Sequence, residues 1–213
     1  MKISKITQSL ILISAVAVIF DVARLDIWGT TNLLYLVWNL FLAWVPYIIS
    51  IYFIKNETPV KYFVPLFILW LLFFPNAPYL VTDILHISSS SPLLLWYDSL
   101  LFFLFGWIGL LLGMLSLFQI HKYLQSHLTH LVSELSIFAI CLISSFGIYL
   151  GRFERWNSWD AFFSPIKLIK HSLNVSSNFA HAGTPLMFVV VFTLFMYLVY
   201  KTMNFLLINK SEL

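Results

Sequence analysis

Six runs of roughly 20 mostly apolar residues, at about 7–25, 33–54, 62–82, 93–119, 131–150 and 184–207, constrain this chain more than any other feature. That length carries an α-helix across the ~30 Å hydrocarbon core of a bilayer. In lipid every backbone N–H and C=O has to be satisfied internally, so only helices or closed barrels span it, and runs this long select helices. Composition agrees. The chain is 61% hydrophobic and 10% charged, with mean hydropathy +0.91, against about 45–50% and about 25% in soluble domains. The predicted architecture is an all-α, polytopic transmembrane helix bundle of about six spans, forming one integral membrane domain over residues 1–213.

The charge pattern excludes nucleic acid as a partner. Twelve Lys and Arg are scattered between apolar runs without forming a basic patch. The single cysteine, Cys141, lies mid-span, so neither a disulfide framework nor a cysteine metal motif is expected. The opening "MKISKITQSLILISAVAVIF" has the basic start and apolar run of a signal peptide. Asp21, Arg24 and Asp26 follow at once without a cleavage site, so a retained first helix is expected.

Orientation follows the basic residues. With the N-terminus inside, the inner segments hold Lys2, Lys5, Lys55, Lys61, Lys122, Lys201 and Lys210; the outer ones hold Arg24, Arg152, Arg155, Lys167 and Lys170. This favours N-in/C-in. An even number of spans also places the polar loops 83–91 and 151–183 on one face, whichever way the chain is inserted. Ser91-Pro92 and Thr184-Pro185 read as helix starts, each a hydroxyl cap followed by proline at the first helical position.

Several polar groups stand where a span should have none. In "FFPNAPY" two prolines predict that the third span is broken at Pro75 and Pro78, with Phe74 and Ala77 leaving the helical region. Asn76 then either belongs to a proline-rich helix end or points into a polar cavity. Asp83 and His86, three apart, share a helical face and suit a divalent metal or an oriented general base. The alternative is a solvated interfacial loop. Asp98 sits about 9 Å into the fourth span if that helix starts at Pro92. An acid in such surroundings needs a partner inside the bundle or has to be protonated.

In "GIYLGRFERWNSWD", Arg152 and Arg155 would share a face at i,i+3, with Asn157 and Asp160 close behind and Trp156 and Trp159 suited to the membrane interface. Guanidinium forks fit phosphate or carboxylate. His181, in "NFAHAGTP", lies just before the last span on the same face as Asp83 and His86. Gly109 and Gly113 have small-xxx-small packing spacing. On the opposite face His127, His130 and Glu134 are spaced to share one helical side, and a solvated interface is the expected reading. Residues 159–172 suit a segment lying flat in the interface.

The strings "WLLFFPNAPYLVTDILHI", "WYDSLLFFLFGWIGLLLGM" and "GIYLGRFERWNSWD" together resemble the domain of unknown function 1361 family, bacterial multi-spanning membrane proteins, over about residues 30–205. The resemblance implies a bacterial plasma membrane location. It implies no reaction and carries over no site residue.

Two readings follow. In the first, the protein is a membrane-embedded hydrolase or transferase acting on a lipid or lipid-linked substrate. Asp83, His86, Asp98 and His181 would do acid–base work, or Asp83, His86 and Asp98 would hold a divalent metal. Asn76, Arg152, Arg155, Asn157 and Asp160 would bind substrate. In the second, it is a transporter, channel or accessory structural subunit, in which Asp98 and Arg152 or Arg155 form a buried ion pair. A transporter of this size without a visible internal repeat would need to form a homo-oligomer.

Overall fold

The computed structural model describes residues 4–28, 33–55, 60–87, 92–178 and 183–208. The chain runs through α1 (Lys5–Trp28), α2 (Tyr35–Lys55), α3 (Val60–Phe73), α4 (Asn76–Tyr79), a 3-10 segment (Leu80–His86), α5 (Pro92–His127), α6 (His130–Phe153), α7 (Asp160–Phe163), α8 (Pro165–Asn178) and α9 (Gly183–Ile208). No strand occurs among the described residues. Six of the helical stretches are long and apolar enough to cross a membrane. The protein is an all-α polytopic bundle. Ser91 and His181 lie outside the described residues.

α5 is the pillar. Its 36 residues extend about 54 Å at 1.5 Å per residue, eight residues beyond the run expected from sequence. It packs against α1, α2, α4, the 3-10 segment, α6 and α9. A helix apolar on all sides belongs in a bundle interior. Accordingly 67% of its membrane window is buried, whereas the windows of α1 and α9 are only 22% buried and present side chains such as Leu12, Ile19, Leu194 and Leu198 outward. One apolar cluster joins α1, α2 and α5, and a second joins α3, α5, α6 and α9.

The third span is interrupted for a traceable reason. Pro78 has no N–H to give the Phe74 carbonyl, so Ala77 N–H bonds to it at 3.2 Å. That leaves the Phe73 carbonyl without its usual donor, and Asn76 Nδ2 supplies one at 2.9 Å. The chain tightens into α4 and then the 3-10 segment. Ala77 stays helical, contrary to the expectation from Pro78, because this short-range bond replaces the missing one.

Five of the seven glycines face this interrupted segment, which explains how it fits inside the bundle. Gly106, Gly109 and Gly113 approach residues 77–81 from α5, and Gly147 and Gly151 approach Pro75 and Tyr79 from α6. The small-residue spacing on α5 therefore seats the broken span. A Cβ at Gly109 would lie 2.9 Å from Leu80 Cβ and closer still to the Ala77 carbonyl oxygen. Gly109→Ala is expected to cost about 1–3 kcal/mol through overpacking, despite alanine's better helix propensity. A drop in detergent melting temperature checks this.

Two sequence expectations change here. His127 ends α5 and His130 begins α6, so the spacing crosses a helix boundary: His130 and Glu134 share a face of α6, 3.9 Å apart, and His127 does not join them. Glu134 accepts from Lys201 Nζ at 3.1 Å, and the His130 side chain is 83% exposed. Likewise α6 stops at Phe153, so Arg152 and Arg155 are not neighbours on a continued helix.

Candidate functional site

Two carboxylate–guanidinium pairs lie at the end of the bundle where α1 and α6 finish and α2 and α5 begin. The first is organised by Arg152, in the last turn of α6. Its Nη2 donates to Asp83 Oδ1 at 2.6 Å and its Nε to Thr82 Oγ1 at 2.9 Å, while Nη1 lies 3.1 Å from His86 Nδ1. The guanidinium carbon sits 4.0 Å from the Tyr79 ring centroid. In a 3-10 segment, residues three apart eclipse one another, which is why Asp83 and His86 reach the same arginine. Asn39 on α2 donates to Asp83 Oδ2 at 3.2 Å. The Arg152 and Asp83 side chains are 5% and 1% exposed.

The second pair joins Arg24 on α1 to Asp98 on α5. Arg24 Nε donates to Asp98 Oδ1 at 2.5 Å and Nη2 to Oδ2 at 2.9 Å, the two-pronged geometry that suits arginine. Asp98 thus has its bundle partner, but it is Arg24 and neither Arg152 nor Arg155. Asp21, one turn before Arg24, is also buried, and its Oδ2 has no hydrogen-bond partner among the described residues.

Beside the first pair lies a cavity of about 690 Å3, within the usual range for small-molecule sites. Asn39 and Tyr79 line it, so the Asp83–Arg152 pair stands directly behind its wall. Its lining divides in two. Leu42, Ile68, Leu71, Leu72, Ile143 and Phe146 make an apolar flank, and Ile68 and Ile143, 61% and 52% exposed, place its mouth on the apolar outer surface of the bundle. The polar cap comes from Asn39, Asn76, Arg155, Asn157 and Ser158, framed by Trp38, Trp156 and Trp159. Asn76 Nδ2 holds the cap down through Ser158 Oγ at 2.9 Å, and Trp38 meets Trp159 edge-on at 6.4 Å. Leu168 and Ser172 of α8 close one side, and His171 anchors α8 to Glu154 at 3.0 Å. Ile166, Ile169 and Leu173 remain exposed on α8, consistent with a helix lying at the interface.

Arg155 differs from Arg152 in every respect. It lines the cavity, is exposed, and has φ 58°, in the left-handed region. It follows the end of α6, a position usually given to glycine, and Trp156 N–H returns to the Leu150 carbonyl at 3.1 Å. A non-glycine residue there costs roughly 1–2 kcal/mol.

The profile of a family described as "Protein of unknown function (DUF1361)" matches residues 38–199, most of the chain and the whole cavity lining. The chain belongs to the DUF1361 family. No curated protein and no solved structure matches it. Within this DUF1361 chain the matched segment also holds Asp83, Asp98 and Arg152, whereas Arg24 precedes it.

The structure brings together Asn76, Arg155 and Asn157 at the cavity, and Asp83 with His86 behind it. Asp160 accepts from Asn157 N–H at 2.7 Å and shapes the turn. Asp98 belongs to the other pair, so Asp83, His86 and Asp98 do not converge, and no group of three His, Cys, Asp or Glu suited to a metal occurs among the described residues. All four oxygens of Asp83 and Asp98 already accept hydrogen bonds. Sequence reasoning missed Asn39, Tyr79, Thr82 and the pairing role of Arg24. The available signal was a lone asparagine one turn into an apolar helix, and an arginine closing the first span.

Proposed function

We propose that this DUF1361 protein holds a lipid or lipid-linked molecule in the cavity, with its apolar chain along the Leu42–Ile68–Leu72–Ile143 flank and its headgroup under the 155–159 cap. The single observation that supports this is the division of the lining, with an apolar flank that continues onto the bundle's exterior and a polar cap at the end of the spans. An amphiphile in a bilayer has the same division. With N-in/C-in insertion in a bacterial plasma membrane, the orientation favoured by the basic residues, the cap faces outward.

Binding is better supported than hydrolysis or group transfer. The carboxylates offered by the sequence as acid–base groups are each held in an arginine pair, and recruiting either would require that pair to break. The Arg24–Asp98 pair favours a second reading, an accessory structural subunit, and one experiment separates the two. Wild-type protein is expected to retain about one lipid through detergent exchange in native mass spectrometry. Leu72→Trp, which fills the cavity, should lose it, and Leu198→Trp, on the exposed face of α9, should keep it. Equal lipid retention by all three proteins would remove the binding reading and leave the structural one.

A further inference from the structure

We infer that the headgroup this cavity takes is a phosphate carried by a lipid, and that Arg155 recognises it. The inference rests on the proposed reading of the cavity as a lipid site and adds the chemistry of the head. Among the described residues, Arg155 is the one charged group that lines the cavity, and no carboxylate lines it. The neighbouring acids are engaged elsewhere: Glu154 with His171 and Tyr149, Asp160 with the Asn157 backbone, and Asp83 with Arg152 and Asn39. Arg155 itself has no ion-pair or hydrogen-bond partner among the described residues. The cavity lining therefore presents a guanidinium outside any ion pair next to an apolar flank, where the low dielectric strengthens attraction for an anion.

Phosphate suits the cap better than carboxylate because it brings three acceptor oxygens. The cap offers the guanidinium fork together with the Asn157 amide and the Trp159 indole N–H, neither of which is engaged among the described residues. The backbone provides an independent argument. Arg155 holds a left-handed conformation that glycine would adopt without strain, so the fold alone gives no reason for an arginine side chain there. The side chain's use lies in what it reaches.

The unusual backbone also permits a clean test. Arg155→Gly should keep or raise the melting temperature while removing the charge, and Arg155→Gln removes the charge without relieving the strain. The probes are dioleoyl phosphatidic acid and dioleoylglycerol, which share their chains and differ in the phosphate, added to delipidated full-length protein in neutral detergent. Wild type is expected to bind both, with at least a tenfold preference for phosphatidic acid; both variants should bind dioleoylglycerol as wild type does and lose the preference. Inorganic phosphate at the same concentrations should not displace the lipid. Failure of both lipids to bind would overturn the lipid-site reading itself. Equal binding of the two by wild type would overturn the phosphate inference and leave that reading standing. A preference that survives in both variants would take recognition away from Arg155, and displacement by inorganic phosphate alone would mean a soluble anion is the ligand.

Discussion

Arg152→Met lowers the stability of the protein by about 3–5 kcal/mol, the expected effect of leaving a buried charge without its partner. The substitution keeps an apolar stem of similar length and removes the donors to Thr82, Asp83 and His86 in one step. The Asp83 side chain, 1% exposed, then depends on Asn39 alone. Against a total stability of about 5–15 kcal/mol this is large enough to reduce yield as well as melting temperature. Asp83→Asn combined with Arg152→Met should recover most of the loss, since a neutral amide facing a thioether no longer strands a charge. Thermal unfolding of the two single variants and the double in detergent gives the coupling directly. Additive losses would mean that Asp83 and Arg152 act independently and that the geometry between them contributes little.

The second large effect is expected at Asp98. Asp98→Asn removes the negative charge and one of the two acceptors of the Arg24 fork, and leaves a guanidinium whose side chain is 6% exposed. The penalty is again about 3–5 kcal/mol, and it falls on the attachment of α1, which is among the least buried of the spans. Asp21 modifies this result. It is buried one turn from Arg24 and its Oδ2 is unpartnered among the described residues, so it can take over part of the pairing. Asp98→Asn alone should therefore fall near the lower end of the range. Adding Asp21→Asn should deepen the loss, and adding Arg24→Met to Asp98→Asn should reverse most of it. Limited proteolysis of the 28–35 region, compared with global melting, reports whether α1 loosens first. Unchanged proteolysis with lowered melting would show that the pair supports the whole bundle equally.

Asp83, His86, Asp98 and the arginines stood out because an ionisable group in an apolar run is expensive, and that expense demands a partner. Local spacing was sufficient where the chain remains regular: Asp83 and His86 do share a face. It failed where a helix ends. Arg152 and Arg155 are three apart, yet the left-handed residue after α6 sends one into an ion pair and the other to a cavity. His127 and His130 are three apart as well, and the turn between α5 and α6 separates them. Asp98 needed a partner, but its nearest arginine in the sequence, Arg152, was not its partner in space. Arg24 is 74 residues away along the chain.

The amino-acid sequence alone determined the membrane class, the helical architecture, the number of spans and the break at Pro75 and Pro78, because each depends on properties that act within a segment. These are apolar length against bilayer thickness, internal backbone hydrogen bonding and the missing proline N–H. Tertiary structure decided which guanidinium meets which carboxylate, that five glycines seat the interrupted span, and that an apolar flank and a polar cap enclose one cavity. Those outcomes depend on how helices distant in sequence are packed and rotated against one another. Lipid-like side chains crowd every span of this chain, so hydrophobicity holds the helices in the membrane but says little about which faces meet.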